Sequence, residues 1–233
     1  MPNNQMKILD EARDAFHSGK YPEALEKYDY FFEHALNDDP HSLYGVRLSY
    51  CLDEWAQLGE KYPEALTRLE NKRDHTLAQI VKTKAPERFH DYIAICKYLG
   101  SPSLPIKPFL RFHAEDRDLS KIIVRFIWDK LVKEGLWEIC ISYLPDPKES
   151  YKHSVYKFDE TMKVCKSDPG LGGEDFEQQI KGWYVRDVSN ILLVLKSNGK
   201  TDEFVLIREH SRSDLQSRGY PELAVKIEDK LTL

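Results

Sequence analysis

Eight histidines, four cysteines and acidic pairs such as Asp38-Asp39 and Glu115-Asp116 are the groups through which this chain of 233 residues could do chemistry. Their spacing supports little of it. The histidines, His17, His34, His75, His90, His113 and His210 among them, form neither a His-x-x-x-His pair nor a His-Glu-x-x-His motif. Those are the spacings that set two imidazoles around zinc on one helical face. Cys51, Cys96, Cys140 and Cys165 are widely separated inside apolar patterns, and no Cys-x-x-Cys occurs, so they read as free, buried thiols. No serine sits in a Gly-x-Ser-x-Gly elbow. Asp38-Asp39 and Glu115-Asp116 read as solvated turns and helix starts, not as a carboxylate dyad. Gly170-Leu171-Gly172-Gly173 stands before a helix start, where free N–H groups attract phosphate. Glu174 and Asp175 already occupy that helix end and no Lys-Ser/Thr follows, so the glycines read as a connecting loop. No cofactor, no metal and no catalytic residue is expected.

Composition narrows the partners. Apolar residues make up 41% and charged residues 31%, with both signs interspersed, which suits a globular chain with a substantial core. The formal charge of −5, without a Lys/Arg stripe, argues against nucleic acid, whose phosphates require a concentrated basic surface. No stretch approaches 18 uninterrupted apolar residues and the start Met1-Pro2-Asn3-Asn4-Gln5 has no signal-peptide core, so no membrane partner and a cytoplasmic location are expected.

The elements that must position these residues are announced by a repeat. Tyr21-Pro22-Glu23-Ala24-Leu25 recurs 41 residues later as Tyr62-Pro63-Glu64-Ala65-Leu66, with a degenerate copy at Tyr220-Pro221-Glu222-Leu223-Ala224. Such a period belongs to stacked helical hairpins, no one of which buries its apolar face alone. Ile8, Leu9, Ala12, Ala15 and Phe16 give the first amphipathic helix. Gly19 ends it, and Pro22 fits the first turn of a partner running to about Leu36. Tyr44, Leu48, Cys51, Leu52, Trp55 and Leu58 form the next stripe, with Gly59 expected to end that helix and Pro63 to open a long partner to about Lys82. Further helices read as Pro86–Leu99, Pro108–Phe112, Leu119–Lys133 and Leu136–Leu144. Gly19, Gly59, Gly100 and Gly135 then stand 40, 41 and 35 residues apart as one series of helix stops. Beyond residue 148 the pattern loosens, with helices at about 149–166, 174–196, 202–217 and 222–231. Asn198-Gly199 is also compatible with a hairpin turn ahead of a short strand, Phe204-Val205-Leu206-Ile207. The expected class is all-α: a solenoid of antiparallel helical hairpins over residues 1–147, continued by C-terminal hairpins over 148–233.

Ala12-x3-Phe16-x2-Gly19-x-Tyr21-x2-Ala24-x3-Tyr28 resembles the tetratricopeptide repeat, although Ala35 and Pro40 come about one helical turn late. The block Tyr44-Gly45-Val46-Arg47-Leu48-Ser49-Tyr50, Trp55, Leu58-Gly59 and Tyr62-Pro63 also looks like a group of uncharacterised bacterial proteins of tetratricopeptide type. The likeness is good over residues 8–70, weaker over 86–147 and absent from 150 to 219. In that family the inner faces of the first helices hold peptides. Carried onto this chain, those positions are Arg13 and His17, then Ser49, Asp53 and Gln57, then His90, Lys97 and Tyr98, and finally Arg125, Asp129 and Lys133. The Lys/Asn/Arg clamp of one subgroup is incomplete, since Leu9 and Arg13 stand at its first-helix places. The resemblance implies a non-catalytic scaffold that binds a protein or peptide partner on its concave face. An immunity- or antitoxin-like inhibitor is the alternative within binding, and an enzyme with a site in residues 150–219 is the alternative of another class.

Overall fold

The computed structural model describes residues 4–37, 41–167 and 173–232. Among them the chain is helical throughout with no strand, and Phe204 to Ile207 lie inside a helix. It forms two compact units, Met1–Ile127 and Trp128–Leu233.

In the first unit, α1 (Asn4–His17) and α2 (Tyr21–His34) are followed by α3 (Tyr44–Val46), a π-helical turn (Arg47–Cys51) and α4 (Leu52–Lys61) without a break. Then come α5 (Pro63–Thr83), α6 (Pro86–Tyr98) and α7 (Ile106–Glu115); α8 (Arg117–Lys133) begins here and crosses into the second unit. The repeated pentapeptide marks equivalent places: Pro22 and Pro63 each sit in the first turn of a helix, where the missing N–H goes unmissed. Ala24 and Ala65 are fully buried. At the second, the backbones approach closely enough for Trp55 Nε1 to donate to the Ala65 carbonyl at 2.9 Å. Leu9, Leu25, Tyr28, Phe31, Phe32, Leu52, Trp55, Leu58, Leu69 and Ile95 join five helices into one core.

Gly19, Gly100 and Gly135 take φ of 72°, 68° and 69°, the left-handed conformation expected of helix stops. Gly59 does not. It lies inside α4, which runs on to Lys61, and Tyr62 ends that helix in an extended conformation (φ −136°). Pro63 is the cause, because its ring excludes the helical region for the residue before it. Gly59 serves the packing instead: a Cβ there would come within 2.3 Å of Leu66 Cγ.

The second unit is arranged differently. After the short α9 (Trp137–Ile141), α10 (Pro147–Ser167), α11 (Glu174–Ser197), α12 (Thr201–Ser217) and α13 (Pro221–Thr232) follow. α11 is buried along most of its length, from Ile180 through Tyr184, Val188, Leu192 and Leu195, and it packs against α9, α10, α12 and α13. Its stretch from 188 to 195 is buried on nearly every face, and a stretch of that kind must be surrounded. The acidic pair Asp38-Asp39 and most of the glycine cluster before α11 lie outside the described residues.

Candidate functional site

The strongest concentration of charge below the surface is at the π turn. Arg47 is 4% exposed and Asp91, on α6, 3%. Their pairing is bidentate, Nη1 to Oδ1 at 2.7 Å and Nη2 to Oδ2 at 2.9 Å. Arg47 Nε donates to the Phe32 carbonyl at 2.6 Å, and the guanidinium lies 3.9 Å over the Phe32 ring. Three of the five N–H groups of that fork are therefore engaged, two of them by the carboxylate that offsets its charge, which is how a buried ion pair is tolerated. Wide helical turns of this kind recur at functional sites. Here the wider turn leaves the adjacent residues Arg47 and Leu48 both buried.

Around this pair opens a cleft of about 640 Å³, lined by Glu33, Leu36, Asn37, His41, Tyr44, Arg47, Glu87, Arg88 and Asp91. Arg88 is half-exposed and held only loosely, its Nη1 3.5 Å from the Asp91 that Arg47 engages at both oxygens. Glu87 is exposed and has no ion-pair partner among the described residues. On the wall, Tyr44 Oη lies 2.8 Å from His90 Nδ1. The His90 ring stacks on Phe126 of α8 at 4.6 Å and 10°. Arg125 lies 4.6 Å over that same Phe126 ring. Burial pulls the His90 pKa down, with Arg125 and Arg47 acting in the same direction against Asp91.

The eleven residues proposed from the repeat alignment fall into distinct settings. His90 and Arg125 come together through Phe126. Arg13 is not an open anchor: its guanidinium bridges α1 to α4 through Glu54 at 2.8 Å and also holds Asp10 at 2.8 Å. Asp53 accepts from Gln57 at 2.8 Å on the exposed side of α4, and Ser49 donates to the Gly45 carbonyl. His17 is exposed beside Phe16. Lys97 lies 4.8 Å over the Tyr98 ring. Asp129 and Lys133 belong to the second unit, where Asp129 accepts from Asn190 at 2.9 Å and pairs with Arg186 at 3.1 Å. Burial raises the Asp129 pKa against that cation.

Arg47, Asp91, Glu87 and Arg88 lie outside the peptide-facing positions that the repeat resemblance implies. A signal was there: Asp91 is the one carboxylate in the run Phe89 to Cys96, which is apolar apart from it and His90, and Arg47 stands between the stripe positions Tyr44 and Leu48. Two opposite charges on buried faces need one another. All four cysteines are free and buried, and burial pushes the Cys51 and Cys140 thiols up, which keeps them protonated and unreactive. Among the described residues, no group of three or more His, Cys, Asp or Glu side chains is placed to hold a metal ion. No helix among them is long and apolar enough to cross a membrane. No family model, curated protein or solved structure matches the chain.

Proposed function

We propose that this chain is a tetratricopeptide-like, non-catalytic binding module that holds a segment of another protein in the cleft beside the π turn. One observation supports the reading above others. The buried Arg47–Asp91 pair floors the cleft, while at its rim Glu87 has no ion-pair partner among the described residues and Arg88 has only the long 3.5 Å contact to Asp91. Rigid, pre-organised walls lower the ordering cost of binding, and polar groups at a rim set orientation. The column Tyr44–His90–Phe126 ties the cleft wall to Arg125, one of the peptide-facing positions that the repeat resemblance implies. Arg88 and Arg125, in place of Arg13, are the arginines offered to a partner.

The test is site-specific photocrosslinking from position 87, with position 118 as control, since Asp118 is exposed at the start of α8 and does not line the cleft. A discrete adduct from position 87 alone, reduced by Arg88→Glu in a folded protein, supports the reading. Equal capture from both positions, or none from position 87, overturns it.

A further inference from the structure

The second unit carries a groove with a different chemistry, independent of the cleft above. It measures about 550 Å³ and is lined by Phe158, Asp159, Met162, Lys163, Lys166, Ser167, Arg218 and Tyr220. Its floor is apolar: Phe158 and Met162 are each 5% exposed, and the Tyr220 ring meets the Phe158 ring edge to face at 5.7 Å.

That floor is held in place. Gly219, with φ of 80°, closes α12, and the Tyr220 N–H donates to the Leu215 carbonyl at 2.8 Å, which fixes the start of α13. Lys181 lies 5.1 Å over the Tyr220 ring and is itself held by Glu177 at 2.7 Å.

The rim is cationic. Met162, Lys163 and Lys166 share a side of α10 with Asp159, because residues three and four apart on a helix are neighbours. Asp159 is engaged by Arg218 from across the groove. Lys163 and Lys166 form no direct ion pair among the described residues; Lys166 stands close enough to Glu177 to help hold that carboxyl below its ordinary range, but Glu177 itself is bonded to Lys181. Lysines in the last turns of a helix also favour its dipole. That accounts for their charge but not for a buried aromatic and thioether floor beside them.

The geometry points to a binding site for a small amphipathic anion: a flat apolar body lies on Phe158, Met162 and Tyr220, and its carboxylate is met by Lys163 and Lys166. A free inorganic anion makes no use of the floor, and a neutral aromatic makes none of the lysines. Ammonium–carboxylate hydrogen bonds are the stronger kind, and thioether and ring-edge contacts suit an aromatic body.

Calorimetric titration of the full chain with 2-naphthoate tests this, with 2-naphthol, octanoate and inorganic phosphate as comparison probes. Naphthoate is expected to bind, and the double variant Lys163→Glu, Lys166→Glu to weaken it about tenfold or more, the loss expected for charge-assisted contacts turned repulsive. Tyr220→Leu is expected to weaken naphthoate more than octanoate. Lys226→Glu, an exposed position on α13, should leave all affinities unchanged. Octanoate binding as tightly as naphthoate would replace the flat body by an acyl chain and overturn that part of the assignment. Naphthol or phosphate binding as tightly as naphthoate, naphthoate failing to bind at millimolar concentration, or a folded double variant with unchanged affinity would overturn the site.

Discussion

Two sets of ion pairs in the first unit use the same chemistry in opposite surroundings. On the outer side of α2 and α5, Lys72 holds Asp29 at 2.6 Å and Glu33 at 2.7 Å, Arg68 holds Glu26 at 2.7 Å, and Lys27 of α2 holds Glu11 of α1 at 2.7 Å. At the π turn a single pair, Arg47–Asp91, has both side chains at 5% exposure. The outer ladder is longer and its distances are no worse. Water decides the difference: a solvated partner left alone is rehydrated, whereas a buried one is not. Number and distance of ion pairs are therefore poor guides to their importance in this molecule, and depth is a good one.

The largest way to break that comparison is Asp91→Ala. Leaving Arg47 buried and uncompensated is expected to cost about 3–5 kcal/mol in denaturant unfolding, while Arg47→Met with Asp91→Leu should recover most of the loss. A loss below about 1 kcal/mol would place the pair with the exposed ones.

Backbone geometry sharpens the same lesson at two glycines that look alike in sequence. Gly19→Val should cost about 1–2 kcal/mol because its φ of 72° is left-handed. Gly59→Ala is helical and gains propensity, so any loss must come from Leu66. Its cost, about 1–3 kcal/mol from overpacking, should shrink when Leu66→Ala is made alongside. Full additivity in that cycle would show that Leu66 does not meet the new methyl.

Acid titration separates the two regions by pH window. His90 is held below its ordinary value of 6.5, so the unfolded chain binds this proton more readily, and stability falls as pH drops from 6.5 toward the folded pKa. Glu33 shows the carboxylate case. Burial alone would raise its pKa, but Lys72, Arg88 and Arg47 together outweigh that and hold it below 4.5, so its contribution is lost only as pH falls below that value. His90→Phe, which keeps a ring against Phe126, should reduce the slope of the upper window, to which His113 also contributes because burial and Arg117 hold it below 6.5, and leave the lower one. An unchanged slope above pH 5 in that variant would remove His90 as the cause.

The smallest effect is expected in the ladder itself. Arg68→Ala, whose partner Glu26 is 68% exposed, should change stability by about 1 kcal/mol or less, and added salt should shrink the difference further. A loss comparable with that of Asp91→Ala would remove the distinction between the two regions.

Periodicity was enough to place most helices of this chain. Pro22 and Pro63, the buried alanines Ala24 and Ala65, and the packing role of Trp55, Tyr28, Phe31 and Phe32 are legible from spacing alone, because helix caps and amphipathic faces are local properties. Gly59 shows the limit of that reading. Glycine at a helix end and glycine at a helix crossing have the same signature in one dimension, and only the position of Leu66 tells them apart. The same holds for charge. Arg13 and Arg47 are both arginines on early helices, yet one bridges α1 to α4 in half-exposed surroundings and the other is sealed against Asp91, 44 residues away. Sequence by itself determined which segments are helices and which of their faces seek burial, since both follow from neighbours within a turn or two. Only the tertiary structure decided that α11 would be surrounded, that Asp91 would find Arg47, and that Phe158 would meet Tyr220 beneath two lysines. Burial and charge compensation depend on groups far apart in the chain, and no local pattern encodes which distant partner arrives.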